Sequence, residues 1–246
     1  MEGIVIQPVY IFGESKTEVR DVRGSEKHEI AAIKRIREAL INRPETKAEI
    51  LEVKMVDKAK IPENKEITEA WKRVHAFAHV GTQYEWISRY AYNKPMLEIG
   101  IEKGDPECSY ANCALRKHGK LASTGDIHNY KVDPYKSNAD VVTIFGNLRF
   151  PIIEISEVEM NGLIKAWGYE DIMKMIWFCH TPIRNKPCGL CRPCNEKIES
   201  NMQQLLPQAA LHRNWMSKNI KGFSFYSRIM RATFWKLSNH PKDADL

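Results

Sequence analysis

The sequence predicts an α/β protein built around a mostly parallel sheet. Apolar segments rich in β-branched residues alternate with segments whose apolar residues recur at helical spacing, and this alternation runs through most of residues 4–176. The chain has 246 residues, 43% hydrophobic and 28% charged, enough for one large domain or two small ones with a real core. Thirteen glycines and twelve prolines are ordinary numbers, which excludes a mainly disordered or collagen-like chain. The longest apolar runs fall far short of the roughly 20 residues that cross a bilayer, and the N-terminal residues lack a signal-peptide pattern. The expected location is cytoplasmic, with no membrane partner.

The first expected element is a buried strand over Ile4–Phe12, ending at Gly13. Ile30, Ile33, Ile36 and Leu40 then mark a helix that Pro44 stops. Residues 49–56 read as a second strand. Ile67, Ala70, Trp71, Val74 and Phe77 define the next helical stripe, and Trp86, Ile87 and Tyr90 continue helical character beyond Gly81. A third strand is expected from Met96 to Ile101, and residues 104–138, without clear period, read as a long functional loop or insertion. A fourth strand falls within Val141–Phe145 or Arg149–Ile153. Ser156 and Glu159 form a capping box, Met160, Leu163, Ile164 and Trp167 supply the buried face of its helix, and Gly168 ends it. A short helix carrying Ile172, Met173, Met175 and Ile176 leads to Cys179, and another with Ile198, Met202 and Leu205 follows Cys194.

Four of the six cysteines, Cys179, Cys188, Cys191 and Cys194, lie within sixteen residues. Thiolates with two residues between them can face one ion through a tight turn, and Gly189 lets the backbone fold back closely enough for Cys188 and Cys191 to share it. Four soft thiolates complete a tetrahedral Zn²⁺ shell and leave no open position, so the expected ion is structural. Disulfides, disfavoured in an intracellular chain, and an iron–sulfur cluster are the alternatives. His180 adjoins the first ligand as a substitute ligand or a surface residue. Cys108 and Cys113 have no partner pair and read as free thiols. His75 and His79, at i and i+4, share a helical face but lack a matched acidic ligand.

The nine, three and three spacing of these cysteines, preceded by Phe150-Pro151-Ile152-Ile153 and the capped helix through Trp167-Gly168, resembles the C-terminal half of the 7-cyano-7-deazaguanine synthase family. Pro151 and Glu159 keep that family's pattern, while Phe150 and Glu157 replace its Thr and Lys. The resemblance extends more weakly over most of residues 3–208. It implies a Rossmann-like parallel sheet of the adenine nucleotide alpha-hydrolase type, and an ATP-dependent conversion of 7-carboxy-7-deazaguanine to the nitrile by adenylation of the carboxylate, in 7-deazaguanine or queuosine-type nucleoside biosynthesis. The small-molecule partner it implies is therefore a 7-deazaguanine, and the activity that of an ATP-dependent carbon–nitrogen ligase.

That family's Ser-Gly-Gly-x-Asp-Ser phosphate loop has no counterpart here, since the chain holds no Gly-Gly pair and no Gly-x-Gly. ATP is thus an expected cofactor only where a phosphate loop comes from outside this chain. Two alignments accommodate this. In one, Ile4–Phe12 matches the family's second strand and Glu29 the acidic residue opening the next helix, with the first strand missing before Met1. In the other, Ile4–Phe12 is the first strand and Phe12–Thr17 a degenerate loop. The first keeps the family's order of strand, helix and strand, and requires a partner chain, a homo-oligomer, an upstream segment or a rearranged sheet to fill a central gap. The Pro-Gly-Arg-Asn element is matched by Val80-Gly81-Thr82-Gln83, and the substrate segment by Tyr110-Ala111-Asn112-Cys113, with Tyr110 and Asn112 as substrate-binding residues. Asn112 in place of Asp exchanges an acceptor for a mixed donor and acceptor.

The net charge of +6 concentrates at the C-terminal end, because residues 209–246 carry seven Lys and Arg against two acids. Arg213, Lys218, Lys221, Arg228, Arg231 and Lys236 interleave there with Trp215, Phe223, Phe225, Tyr226, Phe234 and Trp235, the composition of a nucleic-acid surface. Ile229, Met230, Thr233, Phe234 and Leu237 fall on one face, which equally describes an amphipathic helix packed on the domain. The expected division is an α/β core over residues 1–178, a zinc element over 179–208 and a basic aromatic extension over 209–246. The rival to the enzyme is a non-catalytic zinc-stabilised module, derived from the same fold, that binds nucleic acid or protein.

Overall fold

The structure, a computed structural model, describes residues 3–13, 25–94, 97–104, 110–125 and 129–220. The elements run β1 (Val5–Ile6), β2 (Val9–Phe12), α1 (Glu26–Ile41), β3 (Glu49–Ile50), β4 (Lys54–Asp57), α2 (Lys65–Ala78), α3 (Gln83–Ala91), β5 (Leu97–Glu98), α4 (Tyr110–Asn112), β6 (Leu121–Ser123), β7 (Tyr130–Val132), α5 (Ala139–Phe145), β8 (Leu148–Arg149), α6 (Glu157–Ala166), α7 (Glu170–Met173), α8 (Arg192–Glu199) and α9 (Gln208–Asn219). Helix and strand are mixed as expected. Among the described residues the strands form four two-stranded pairs, two of them parallel, and not one continuous Rossmann sheet. Two compact units result, Met1–Val56 with Ile164–Leu246, and Asp57–Leu163. The expectations on Cys108, on the loop residues after Gly13 and on residues 221–246 lie outside the described residues.

The unit Asp57–Leu163 is built on α2, α3 and α5. Asn64 caps α2 by accepting from the Ile67 amide, and Ile67, Ala70, Val74 and Ala78 are buried at helical spacing. Phe77 instead faces outward and packs beside the His118 ring at 4.4 Å. Val141–Phe145 is helix α5, not strand. Asn138 accepts from the amides of Asp140 and Val141 to start it, and Val141, Ile144 and Phe145 are buried at i, i+3 and i+4. The fourth strand reduces to β8, which pairs in parallel with β5 through Leu97–Leu148 and Glu98–Arg149. Arg73 grips Asp140 with two hydrogen bonds of 2.9 and 2.7 Å, tying α2 to α5. Tyr84 and Phe150 pack on Phe145, and burial pushes the Tyr84 hydroxyl up to about 12.

The stretch 104–138 is not an unstructured loop where it is described. It holds α4, a π-helical turn over Cys113–Lys117, and an antiparallel pair β6–β7 with Leu121 opposite Val132.

The other unit joins the two ends of the chain. Ile4–Phe12 is interrupted at Pro8, which has no amide to donate, so β1 pairs in parallel with β3 and β2 pairs with β4. It is not a buried strand: Ile4, Val5 and Ile6 are 71, 57 and 44% exposed. Arg37 anchors α1 to the following segment through the Leu51 carbonyl (2.7 Å) and the Glu52 carboxylate (2.7 Å). Glu29, on the first turn of α1, accepts from the Tyr10 hydroxyl and from the buried Ser25 hydroxyl, each at 2.6 Å. Arg43 beyond α1 reaches Asp171 and lies 4.6 Å over the Tyr169 ring.

The capping box at the start of α6 forms as expected. The Ser156 amide and hydroxyl donate to the Glu159 carboxylate at 2.8 and 2.6 Å, and the Glu159 amide donates back to the Ser156 hydroxyl. Gly168, at φ +72, ends the helix, whose expected buried face does not form: Met160, Leu163 and Ile164 are half-buried and Trp167 is exposed.

Candidate metal centre

The eight residues between Cys179 and Cys188 close through a two-residue hairpin. Arg184 and Asn185 both have positive φ, 50 and 59°, the geometry of a type I′ turn, and Ile183 and Lys186 exchange hydrogen bonds of 2.9 and 3.1 Å across it. The chain thus reverses and brings Cys188 back to Cys179, whose Sγ accepts the Cys188 amide at 3.2 Å.

A second turn completes the set. Gly189, at φ +77, folds the chain so that the amides of Leu190 and Cys191 donate to the Cys188 Sγ at 3.2 and 3.3 Å. Thr181 adds its hydroxyl at 3.4 Å. Cys191 then precedes α8, with Pro193 in its first turn, and Cys194 follows one turn on, facing the same point.

All four cysteines are buried, and their sulfurs lie within 4.8 Å of one another. The separations are 3.8 Å for Cys179–Cys191, 4.0 Å for Cys188–Cys194 and 3.4 Å for Cys191–Cys194. A tetrahedron with metal–sulfur bonds of about 2.3 Å has edges of about 3.8 Å, so the donor set fits one tetrahedral ion. His180, beside Cys179, is not among the ligand atoms so gathered. The Cys188 thiol is pushed down, by the Cys179 side chain first and then by Cys191 and Cys194. Convergent N–H donors favour its thiolate, the form that binds metal.

Helix α9 closes the site from outside the ligand segment. Arg213 donates to the Cys188 carbonyl (2.8 Å) and the Pro187 carbonyl (3.3 Å), and the buried Asn214 donates to the Gly189 carbonyl (2.9 Å) and to Asn195 on α8. Arg213 therefore faces inward, which removes it from the cations assigned to a nucleic-acid surface. Trp215, by contrast, is 57% exposed and stacks with His212. Trp177 donates to the Cys179 carbonyl at 2.8 Å and stacks on His28 of α1 at 4.2 Å. Thr181, Arg213, Asn214 and Trp177 carry no ligand chemistry of their own. The readable hint was Ala209-Ala210, a small pair on a helix where something must come close.

The other sequence-predicted residues have separate places. Asn112 is buried, its amide nitrogen donating to the Glu102 carbonyl and its oxygen accepting from Arg116 Nε, both at 3.0 Å. Tyr110 is 46% exposed, edge-on to His79 at 6.4 Å. His75 is bonded through Nδ1 to the Val80 carbonyl at 2.7 Å, and His79 ends α2 in the left-handed conformation, φ 49°. Among the described residues no helix is long and apolar enough to cross a membrane. No protein-family model matches the chain, and no curated protein or solved structure matches it either.

Proposed function

We propose that this chain is a cytoplasmic, zinc-stabilised protein of the 7-cyano-7-deazaguanine synthase type. The observation that carries the reading is the closed four-sulfur cluster, reached in sequence through the capped helix and the Gly168 turn that the resemblance rests on. One Zn²⁺ held by Cys179, Cys188, Cys191 and Cys194 supplies folding free energy and no Lewis-acid chemistry, because four thiolates leave no position for substrate. Tyr110, exposed on the unit Asp57–Leu163, offers a ring for stacking a 7-deazaguanine base, while the Asn112 amide is held by the Glu102 carbonyl and Arg116. ATP-dependent chemistry at the carboxylate belongs to the assembly that supplies a phosphate loop to this chain.

The test is a titration of the purified full chain with 7-carboxy-7-deazaguanine and with a non-hydrolysable ATP analogue. Saturable binding of the base is expected. Undetectable binding of both at millimolar concentration sinks the enzyme reading and leaves the non-catalytic binding module. That rival predicts salt-sensitive binding to single-stranded nucleic acid that disappears on removal of residues 221–246. The truncation spares α9, which the cluster needs.

A further inference from the structure

The contact between α9 and the cysteine turn has a geometry that ordinary helix packing does not require. The Gly189 carbonyl, which accepts from Asn214, and the Leu190 amide, which donates to the Cys188 sulfur, are the two ends of a single peptide group. A donor on the carbonyl polarises that group and strengthens the N–H···S bond at its other end. Arg213 fixes the preceding peptide through the Cys188 carbonyl, so both peptides of the turn are held from α9. Asn214 also reaches Asn195, the residue after Cys194, and so touches both halves of the ligand set. Close approach is built in, since Ala210 and Gly189 are both buried and any Cβ on Gly189 would stand 2.1 Å from the Ala210 carbonyl oxygen.

We infer that α9 is part of the metal centre, with Asn214 and Arg213 as positioning residues, and that metal binding and the docking of α9 are thermodynamically coupled. The inference rests on the cluster holding an ion. When the ion leaves, the four thiols lose their common centre, the turn loses its fixed peptides, and Asn214 and Arg213 lose the Gly189, Cys188 and Pro187 carbonyls as fixed acceptors. Linkage is reciprocal: whatever factor the ion adds to docking, docking adds to the affinity for the ion. The docked state of α9 is thereby a function of metal occupancy.

The experiment uses the full-length, metal-loaded protein. Metal content is measured first, and an empty site would overturn the metal assignment rather than the coupling. Zn²⁺ release to a chromogenic chelator is then followed for Asn214→Ala, for Arg213→Lys and for Trp215→Ala on the exposed face of the same helix. Loss of a partner outside the ligand set costs about 10–100-fold in affinity. Release should accelerate by about that factor in Asn214→Ala, less in Arg213→Lys, and not in Trp215→Ala. Hydrogen exchange on the unmutated protein gives a second readout free of any folding defect in the variants. The amides of α9 should lose protection on chelation, and those of α5 should keep it. Equal release rates across the three variants, or α9 protection unchanged by chelation, would overturn the coupling.

Discussion

Gly189 and Ala210 meet backbone to backbone, with 2.1 Å between the Ala210 carbonyl oxygen and the place a Gly189 Cβ would occupy. Glycine is required there twice over. Its φ of +77° costs a residue with a side chain about 1–2 kcal/mol, and the contact forces α9 away as well. Gly189→Ala should lower the thermal midpoint by several degrees and shed the metal on dialysis. A variant with native midpoint and full metal content would refute this packing.

Metal removal should act on one unit alone. Binding free energy for a structural Zn²⁺ is on the order of 10 kcal/mol, comparable to the whole stability of a domain. The cysteines form a buried cluster with Leu206 and Ala210, whereas Val74, Ile144, Phe145 and Leu148 belong to a separate core. Chelation, or Cys191→Ser, should therefore abolish amide protection in α8 and α9 while α2 and α5 stay protected. Uniform loss across all four helices would show that the cores are not separable.

The cluster was legible in the sequence because thiol spacing is itself chemistry, and the Ser156–Glu159 box because capping is local. Helix α5 was not. Val141, Val142, Thr143 and Ile144 are β-branched, and strand propensity lost to the Asn138 cap and to burial of Val141, Ile144 and Phe145 against the core. Ile4–Phe12 has the composition of one buried strand. The missing amide of Pro8 breaks it, and the sequence does not say which flank other elements cover. The role of Arg213 was hidden for a different reason: an inward and an outward cation on a helix are the same letter, and its acceptors lie 25 and 26 residues away.

The capping box carries a pH signature. Hydrogen bonds from the Ser156 side chain and then its backbone hold the Glu159 carboxyl below its usual value. A depressed carboxylate contributes stability that is present above its unfolded pKa and lost as pH falls through the folded one. Ser156→Ala should lower stability near neutral pH, because both hydroxyl bonds of the box are lost. The difference from the unmutated protein should shrink as pH falls below the ordinary glutamate value of about 4.3, read from denaturant midpoints along a pH series. A deficit that stays constant into acid would mean that the Glu159 carboxylate plays no part.

His28 should give the opposite group but the same direction. Burial lowers its pKa first, and the charges of Lys27 and Arg35 add to that, against raising contributions from Asn185 and Glu29. A histidine whose folded pKa lies below the unfolded value resists protonation in the native state. Once pH falls below about 6.5 the unfolded chain takes up the proton more readily, so stability declines from there downward. The ring lies almost parallel to Trp177, at 16°, and Trp177 in turn is hydrogen-bonded to the Cys179 carbonyl. His28→Phe keeps an aromatic ring in the stack and removes the titration. Unfolding midpoints measured between pH 7.5 and 5 should therefore fall less steeply for His28→Phe than for the unmutated protein. Parallel slopes would place the acid sensitivity elsewhere in the unit.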